Sequence, residues 1–568
     1  MINTILGRDS KATPATSAAN LPTPDTFNDY FTNIGPSLAN RTHSEVPFSS
    51  FLPNATDNIF SLHQINESDI LKLINNSRDS APGYDHIPMW LIKRAASTLV
   101  PIITHIINLS ISTGVFPHAL KLAKVTPIHK SGDLINKVNF RPVSVLISLS
   151  KLFERIIYTQ LMEFLTDNNI LTPSQYGFRP KRSTELALVS FTKYVLDAFD
   201  NNDFVLSVFL DLSKAFDTVD HEILLSKLHH YGIRGTAHDW FSSYLSNRRQ
   251  YVHVNGQSSA IQTVVCGVPQ GSIIGPLLFI LYINDLCRSS NTLKYILYAD
   301  DTAVFTKGNN INALIMNINK ELVKVSNWLA SNKLTLNTSK THFIIFHRYK
   351  KFMYPLSPVI INNEMLCETT ETKFLGVTVE QHLHWRPHIE SAKATIAKQC
   401  GILYLVRSSL DQQSLLLMYY TLIYPRLTYC LAVWGGASST ALNRLVIAQK
   451  RVVRNLAGLR RRDHTHDTFK TLKILKFRDI ITLTNATFVY KALHAHIDCE
   501  NYFRSQVNPF PTRNQANLTL PLVRSSQSQS HIRYRGVNTY NQQPSEIKNK
   551  HSLYSFKMSV KSKLLSLY

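Results

Sequence analysis

Cysteine is scarce and scattered: the six, at positions 266, 287, 367, 400, 430 and 499, make no CxxC pair and no zinc-ligand spacing. That pattern excludes a disulfide framework and points to a reduced, intracellular protein. No basic patch followed by a long apolar core opens the chain, so no secretory signal is visible. Long apolar runs are also wanting. The one candidate, Ser414 to Trp434, is interrupted by Pro425, Arg426 and several tyrosines, which favours a buried amphipathic helix pair over a membrane span. No internal repeat is found. Acidic residues are few, 38 against 61 Lys and Arg, and the net charge of +23 calls for an anionic partner. Nucleic acid fits best, although basic composition alone does not tell it from a membrane surface. The imbalance is steepest from Gly401 onward, where 24 Lys and Arg stand against seven Asp and Glu, so much of the phosphate contact is expected there.

What is present begins with size. A chain of 568 residues, 44% hydrophobic and 17% charged, has the composition of a soluble globular protein with several structural units. Its organising stretch is Leu293 to Gly308, where two apolar, β-branched and aromatic runs flank Asp300 and Asp301. The pattern predicts a β-hairpin with two carboxylates at its tip. Alone, such a pair reads as readily as a solvated turn. A third carboxylate changes the balance: Asp211 ends the strand-like run Phe204 to Leu210 and so emerges where a strand leaves its sheet. Three oxygen donors with no Cys or His cluster favour a hard cation, Mg2+ with Mn2+ as a substitute, over zinc. Two such ions can activate a 3′-hydroxyl and stabilise a leaving pyrophosphate, which is nucleotidyl transfer.

Three segments then occur in a telling order: FLDLSKAFDTVDH at 209–221, GVPQGSIIGPLLFILYINDL at 267–286 and YADDT at 298–302. Together they resemble the reverse transcriptases of non-LTR retrotransposons, of the Jockey-like long interspersed element kind. With weaker flanking blocks the resemblance runs over residues 60 to 560. It implies an α+β, right-hand polymerase fold: fingers, a palm with an antiparallel sheet and a helical thumb, followed by a basic, mainly helical C-terminal region. The corresponding division is a flexible leader at 1–60 with a short helix near Phe27 to Phe31, a pre-finger helical extension at 61–115, fingers and palm at 116–380, a helical thumb at 381–470 and the basic region at 471–568. Related elements carry an endonuclease before this region. The segment ahead of the fingers is too short for one, so the chain reads as the downstream portion of a longer frame or a truncated copy.

Residue roles follow from the resemblance and agree with elementary chemistry. Asp211, Asp300 and Asp301 are the metal ligands and catalytic carboxylates. Lys130 and Arg141, on two expected strands joined by a polar loop, reach nucleotide phosphates; guanidinium offers paired donors and ammonium a point charge. Lys214 and Ala215 lie where the chain turns from strand to helix and backbone amides face a triphosphate. Phe216 lies under the sugar and selects deoxynucleotides. Gln270 and Gly271 approach the nucleotide from a breaker-rich loop, and Lys340 stands near the phosphates. Gln175, Phe178 and Arg179 are template contacts, and Phe374, Leu375 and Gly376 form the hairpin that grips the primer. The implied partners are an RNA template, a DNA primer or duplex, deoxynucleoside triphosphates and the element's own RNA, with no membrane. Localisation is expected in the nucleus and in cytoplasmic ribonucleoprotein. Two other functions stand beside this one: a catalytically silent or domesticated nucleic-acid-binding relic, and an intron-type reverse transcriptase with maturase activity.

Overall fold

The computed structural model describes residues 21–40, 44–348, 357–499, 502–503 and 517–568. At its centre, all seven residues of the strand Phe204–Leu210 are buried. A continuous apolar run is what a strand covered on both faces requires. Because side chains alternate between faces, Leu206, Val208 and Leu210 enter one apolar core, and Val205 and Phe209 enter a second. Each such side chain contributes roughly 1.5–3 kcal/mol by leaving water. The strand is third in a five-stranded sheet of order Cys367–Glu368, His342–Phe346, Phe204–Leu210, Asp301–Gly308, Lys294–Tyr298. Both of its neighbours are antiparallel to it, and the last two strands form the expected hairpin. This sheet is the palm. Helices His221–His230, Gly275–Tyr282 and Ile311–Ser331 supply the first core; Thr184–Asp200 supplies the second.

The fingers are a second five-stranded sheet in which Leu122–His129 pairs antiparallel with Phe140–Val145 and parallel with Arg248–Val254. Ahead of them, Glu67–Asn76, Met89–Arg94 and Ala96–Thr113 form the expected helical extension. Ala96–Thr113 is the one helix among the described residues that is long and apolar enough, by composition, to cross a membrane; here it packs into the first core.

The leader expected at 1–60 is corrected in part. Its first 20 residues lie outside the described ones, but Pro24–Ala39 is a helix, N-capped by Thr23, whose Oγ1 accepts from the Thr26 amide at 3.2 Å. Phe27 and Phe31, one helical turn apart, pack against Val125, Phe140 and Val252 of the fingers. Asn28 Nδ2 donates to the Ala260 carbonyl at 2.8 Å, and Thr32 Oγ1 donates to Gln262 Oε1 at 2.6 Å. These contacts override the weak helix propensity of Asn, Thr and Gly.

Downstream, Arg386–Val406 packs on Ser439–Leu456 as a helical thumb. The helix pair expected from Ser414 to Trp434 is a broken series instead, with a π-turn at Tyr419–Ile423 and Cys430 in the left-handed region (φ 50°) before Leu431–Trp434. No break in packing marks position 470. Phe477–Leu493, Ile532–Asn541 and Leu553–Ser566 share the second core with the thumb and the palm helix Thr184–Asp200. Part of the basic charge turns into that core: half-buried Arg535 donates to the Leu431 and Ala432 carbonyls at 3.1 and 2.6 Å, and desolvation brings its pKa down to about 10.

Candidate active site

Strand register builds the acidic side of the site. Leu210 lies opposite Thr302, and Tyr298 lies opposite Asp301. Asp211, one residue past its strand, therefore emerges at the same sheet end as Asp300 and Asp301. The hairpin turns on Ala299 in the left-handed region (φ 55°), a costly conformation for a residue with a Cβ. Gln175 holds that turn: its Oε1 accepts the Ala299 amide at 3.2 Å and the Gly177 amide at 2.8 Å. Asp211 is fixed through its backbone, its amide donating to Thr341 Oγ1 at 3.2 Å and its carbonyl accepting from the Asn337 amide at 2.8 Å.

The carboxylates feel one another. Burial, then the charges of Asp300 and Asp211, push Asp301 up to about 6. Burial is likewise the main cause raising Asp300, with Arg141 opposing it and Asp211 adding to it. Among the described residues, no group of three His, Cys, Asp or Glu side chains is closed around a cation position, these carboxylates included. Their chemistry, hard oxygen without sulfur or imidazole, nonetheless suits a divalent cation such as Mg2+.

The opposite side is basic. A cavity of about 610 Å³, within the range of about 300–1,000 Å³ usual for ligand sites, brings Asp211 and Asp300 together with Lys130, Arg141, Lys214 and Lys340. Lys130 follows the first finger strand, and its amide donates to the Asn139 carbonyl at 2.9 Å; Arg141 faces Ile128 across the finger hairpin. The Lys214 ammonium donates to the Phe140 carbonyl at 3.1 Å, and burial lowers its pKa. Ala215, Phe216, Gln270, Gly271 and Phe178 line the same cavity. Phe216 stacks on Phe279 at 4.3 Å between ring centres and meets Phe178 edge-on at 6.4 Å. Gly271 (φ 123°) is required where it stands, since a Cβ would come within 2.4 Å of the Ser144 carbonyl oxygen.

Two nearby acids serve elsewhere. Asp217 is half-buried and accepts Gln270 Nε2 at 2.7 Å; desolvation pushes its pKa up to about 6. Asp220 caps the helix His221–His230 and pairs with Lys333 at 2.6 Å.

Three expected template and primer contacts, Gln175, Phe374 and Leu375, have buried side chains, and Arg179 and Gly376 make contacts within the chain. Gln175 is fully buried and pins the carboxylate turn. Arg179 is committed to its own loop, donating to the Thr172 carbonyl at 2.7 Å. Phe374 and Leu375 are core residues, 5% and 7% exposed, Phe374 packing on Phe209 at 5.2 Å between ring centres. Gly376 (φ 80°) makes the turn beside the Tyr429 ring, whose hydroxyl donates to the Leu375 carbonyl at 2.8 Å. Phe178, 45% exposed, remains available.

Sequence reasoning did not place Tyr30, Ile34 and Leu38 in the cavity wall. The turn-forming composition around them showed only a short helix near Phe27 to Phe31, not its extent to Ala39 or its packing. It missed Glu154 as well, a buried carboxylate whose Oε2 accepts the amides of Ile273 and Ile274 at 2.5 and 3.2 Å and so anchors the loop behind Gly271.

Residues 128–379, which carry every one of these carboxylates and cavity cations, match the family model described as reverse transcriptase (RNA-dependent DNA polymerase). The chain carries a reverse transcriptase domain. It is similar to a Drosophila melanogaster protein named as a probable RNA-directed DNA polymerase from transposon BS, 30% identical over 66% of this chain and 42% of that one. The RNA-directed DNA polymerase from mobile element jockey of the same fly is 28% identical over 70% of this chain and 44% of its own. The protein from transposon X-element is 29% identical over 68% and 43%. The chain spans less than half the length of these relatives. A solved apo telomerase from Candida tropicalis, truncated from its C-terminal domain, covers 47% of this chain and 55% of its own at a TM-score of 0.33 and 13% identity, too slight a likeness to bear on function. Reverse transcriptases as a family use divalent metal ions.

Proposed function

We propose that this chain is the RNA-directed DNA polymerase of a non-LTR retrotransposon of the jockey kind, extending a DNA primer on an RNA template. One observation carries the reading: a single cavity faces Asp211 and Asp300 on one side and Lys130, Arg141, Lys214 and Lys340 on the other. That is the charge arrangement a nucleoside triphosphate needs, cations for its phosphates and carboxylates for the reacting end.

In the reaction the primer 3′-oxygen forms a bond to the α-phosphorus of a deoxynucleoside triphosphate, the α–β bridging bond breaks, and pyrophosphate leaves. Asp211, Asp300 and Asp301 would hold two Mg2+ ions, which supply Lewis-acid stabilisation of the attacking and leaving oxygens. The four cations orient the triphosphate and offset its charge. The Phe216 ring, stacked on Phe279 and lining the cavity, would lie under the sugar and exclude a 2′-hydroxyl. Gln270, with its nitrogen tied to Asp217, lines the same cavity, where its oxygen would accept from the nucleotide.

The test is extension of a labelled DNA primer annealed to a heteropolymeric RNA, with Mg2+ and four deoxynucleoside triphosphates. Full-length complementary DNA is the expected product. Unextended primer, with template–primer bound, would favour the nucleic-acid-binding relic instead.

A further inference from the structure

The reverse transcriptase match begins at residue 128, yet part of the cavity wall comes from a helix about 100 residues earlier. We propose that the helix Pro24–Ala39 is part of the nucleotide site, with Tyr30 as a positioning residue that seats the Lys214 ammonium for the triphosphate of an incoming nucleotide. The inference rests on the polymerase reading above.

Three observations carry it. Tyr30, Ile34 and Leu38 line the cavity that holds the catalytic carboxylates and the four cations. Next, the Lys214 ammonium lies 5.4 Å from the centre of the Tyr30 ring, and that of Lys137 lies 5.6 Å from it. Lastly, the helix rests directly on the loop that bears Gln270: a Cβ at Gly35 would stand 2.1 Å from the Asp217 carbonyl oxygen and 2.4 Å from Cys266 Sγ. Asp217 is the residue whose carboxylate takes Gln270.

The electrostatics explain why a ring is useful there. Lys214 is partly buried, attracted by Asp217 and repelled by Lys130, Arg141 and Lys340. A carboxylate partner would hold it but would also cancel its charge. Its actual holders are the Phe140 carbonyl at 3.1 Å, the Val138 carbonyl at 3.5 Å and the Tyr30 ring face, all of which attract an ammonium and leave its positive charge uncancelled for phosphate. The Asp217 carboxylate attracts the ammonium without a direct ion pair, while one of its oxygens accepts Gln270 Nε2 at 2.7 Å.

Tyr30 is only half-buried, so its replacement does not empty a core. The test compares the full chain with Tyr30→Ala and Tyr30→Phe. Equilibrium binding of a fluorescent deoxynucleoside triphosphate to the template–primer complex in Ca2+ is read first, then single-nucleotide extension in Mg2+. Tyr30→Ala should weaken nucleotide binding and raise the nucleotide KM by about tenfold, the size of one partly desolvated cation–ring contact, with kcat and template–primer affinity nearly unchanged. Tyr30→Phe keeps the ring and should match wild type in every readout. Unchanged nucleotide affinity in Tyr30→Ala, an equal loss in Tyr30→Phe, or a loss confined to template–primer affinity would each overturn the proposal. Wild type that binds nucleotide without extending primer would defeat the polymerase reading alone, while the binding comparison would still decide the role of Tyr30.

Discussion

Two hairpins of this chain share a two-residue tip and have opposite uses. Lys294–Tyr298 and Asp301–Gly308 turn through left-handed Ala299; Glu371–Phe374 and Val377–Glu380 turn through left-handed Leu375 and Gly376. The first tip carries carboxylates toward a cavity shared with four cations, whereas the second buries Phe374 and Leu375 among Phe191, Phe209 and the thumb. Backbone form alone therefore says nothing of role. What separates the tips is whether their side chains lose or gain free energy on leaving water.

The largest contrast should come from one substitution at each tip. Asp300→Asn is expected to lower single-turnover extension by at least about a thousandfold, comparable with deleting a main electrostatic contributor to a transition state, while the protein melts at the wild-type temperature or above it. Phe374→Ala should do the reverse, costing about 3–5 kcal/mol of stability with near-normal activity per folded molecule. A Phe374→Ala protein that is stable but cannot hold primer would assign the second hairpin the primer-grip role instead.

Phe216 sharpens the comparison because it is both packed and exposed to the cavity, stacked on Phe279 while lining the pocket. Phe216→Val should raise the ratio of ribo- to deoxynucleotide incorporation by roughly ten- to a hundredfold, the range open to steric discrimination in an apolar pocket. An unchanged ratio would assign the ring to packing only.

Acidity separates the tips more gently. The pKa of Asp301 is raised to about 6, so its protonated form is favoured in the metal-free fold, and its contribution to stability is present at low pH and lost as pH rises through about 6. Cation binding needs the ionised form. Extension should therefore fall about tenfold for each pH unit below about 6, with added Mg2+ shifting the midpoint downward, and the gain in melting temperature from Mg2+ should be larger at high pH. A profile flat through pH 6 and insensitive to Mg2+ would detach Asp301 from the cation.

The legible parts of the molecule were those whose chemistry sits in one local string. A seven-residue apolar run ending in Asp211 and a hairpin pattern around Asp300 specify both partners of the acidic site, because strand register follows from alternation. The helix Ser148–Asp167 was equally readable from its period. Gln175 was not, since a polar side chain in a turn looks solvated until its two backbone amides are seen. Nor was Tyr30, which meets Lys214 only through the fold. The tail's charge was misleading in part, because Arg535 spends its guanidinium on buried carbonyls rather than on phosphate.

The central claim is that the Asp300–Asp301 tip and Asp211 together hold the cations that make this cavity catalytic. Its most direct test is Mn2+ binding, followed by electron paramagnetic resonance, in the complex with template, primer and deoxynucleoside triphosphate. The account predicts that the tightly bound Mn2+ of the wild-type complex is lost or greatly weakened in both Asp211→Asn and Asp300→Asn, with template–primer affinity retained. Wild-type Mn2+ binding in either variant would contradict it.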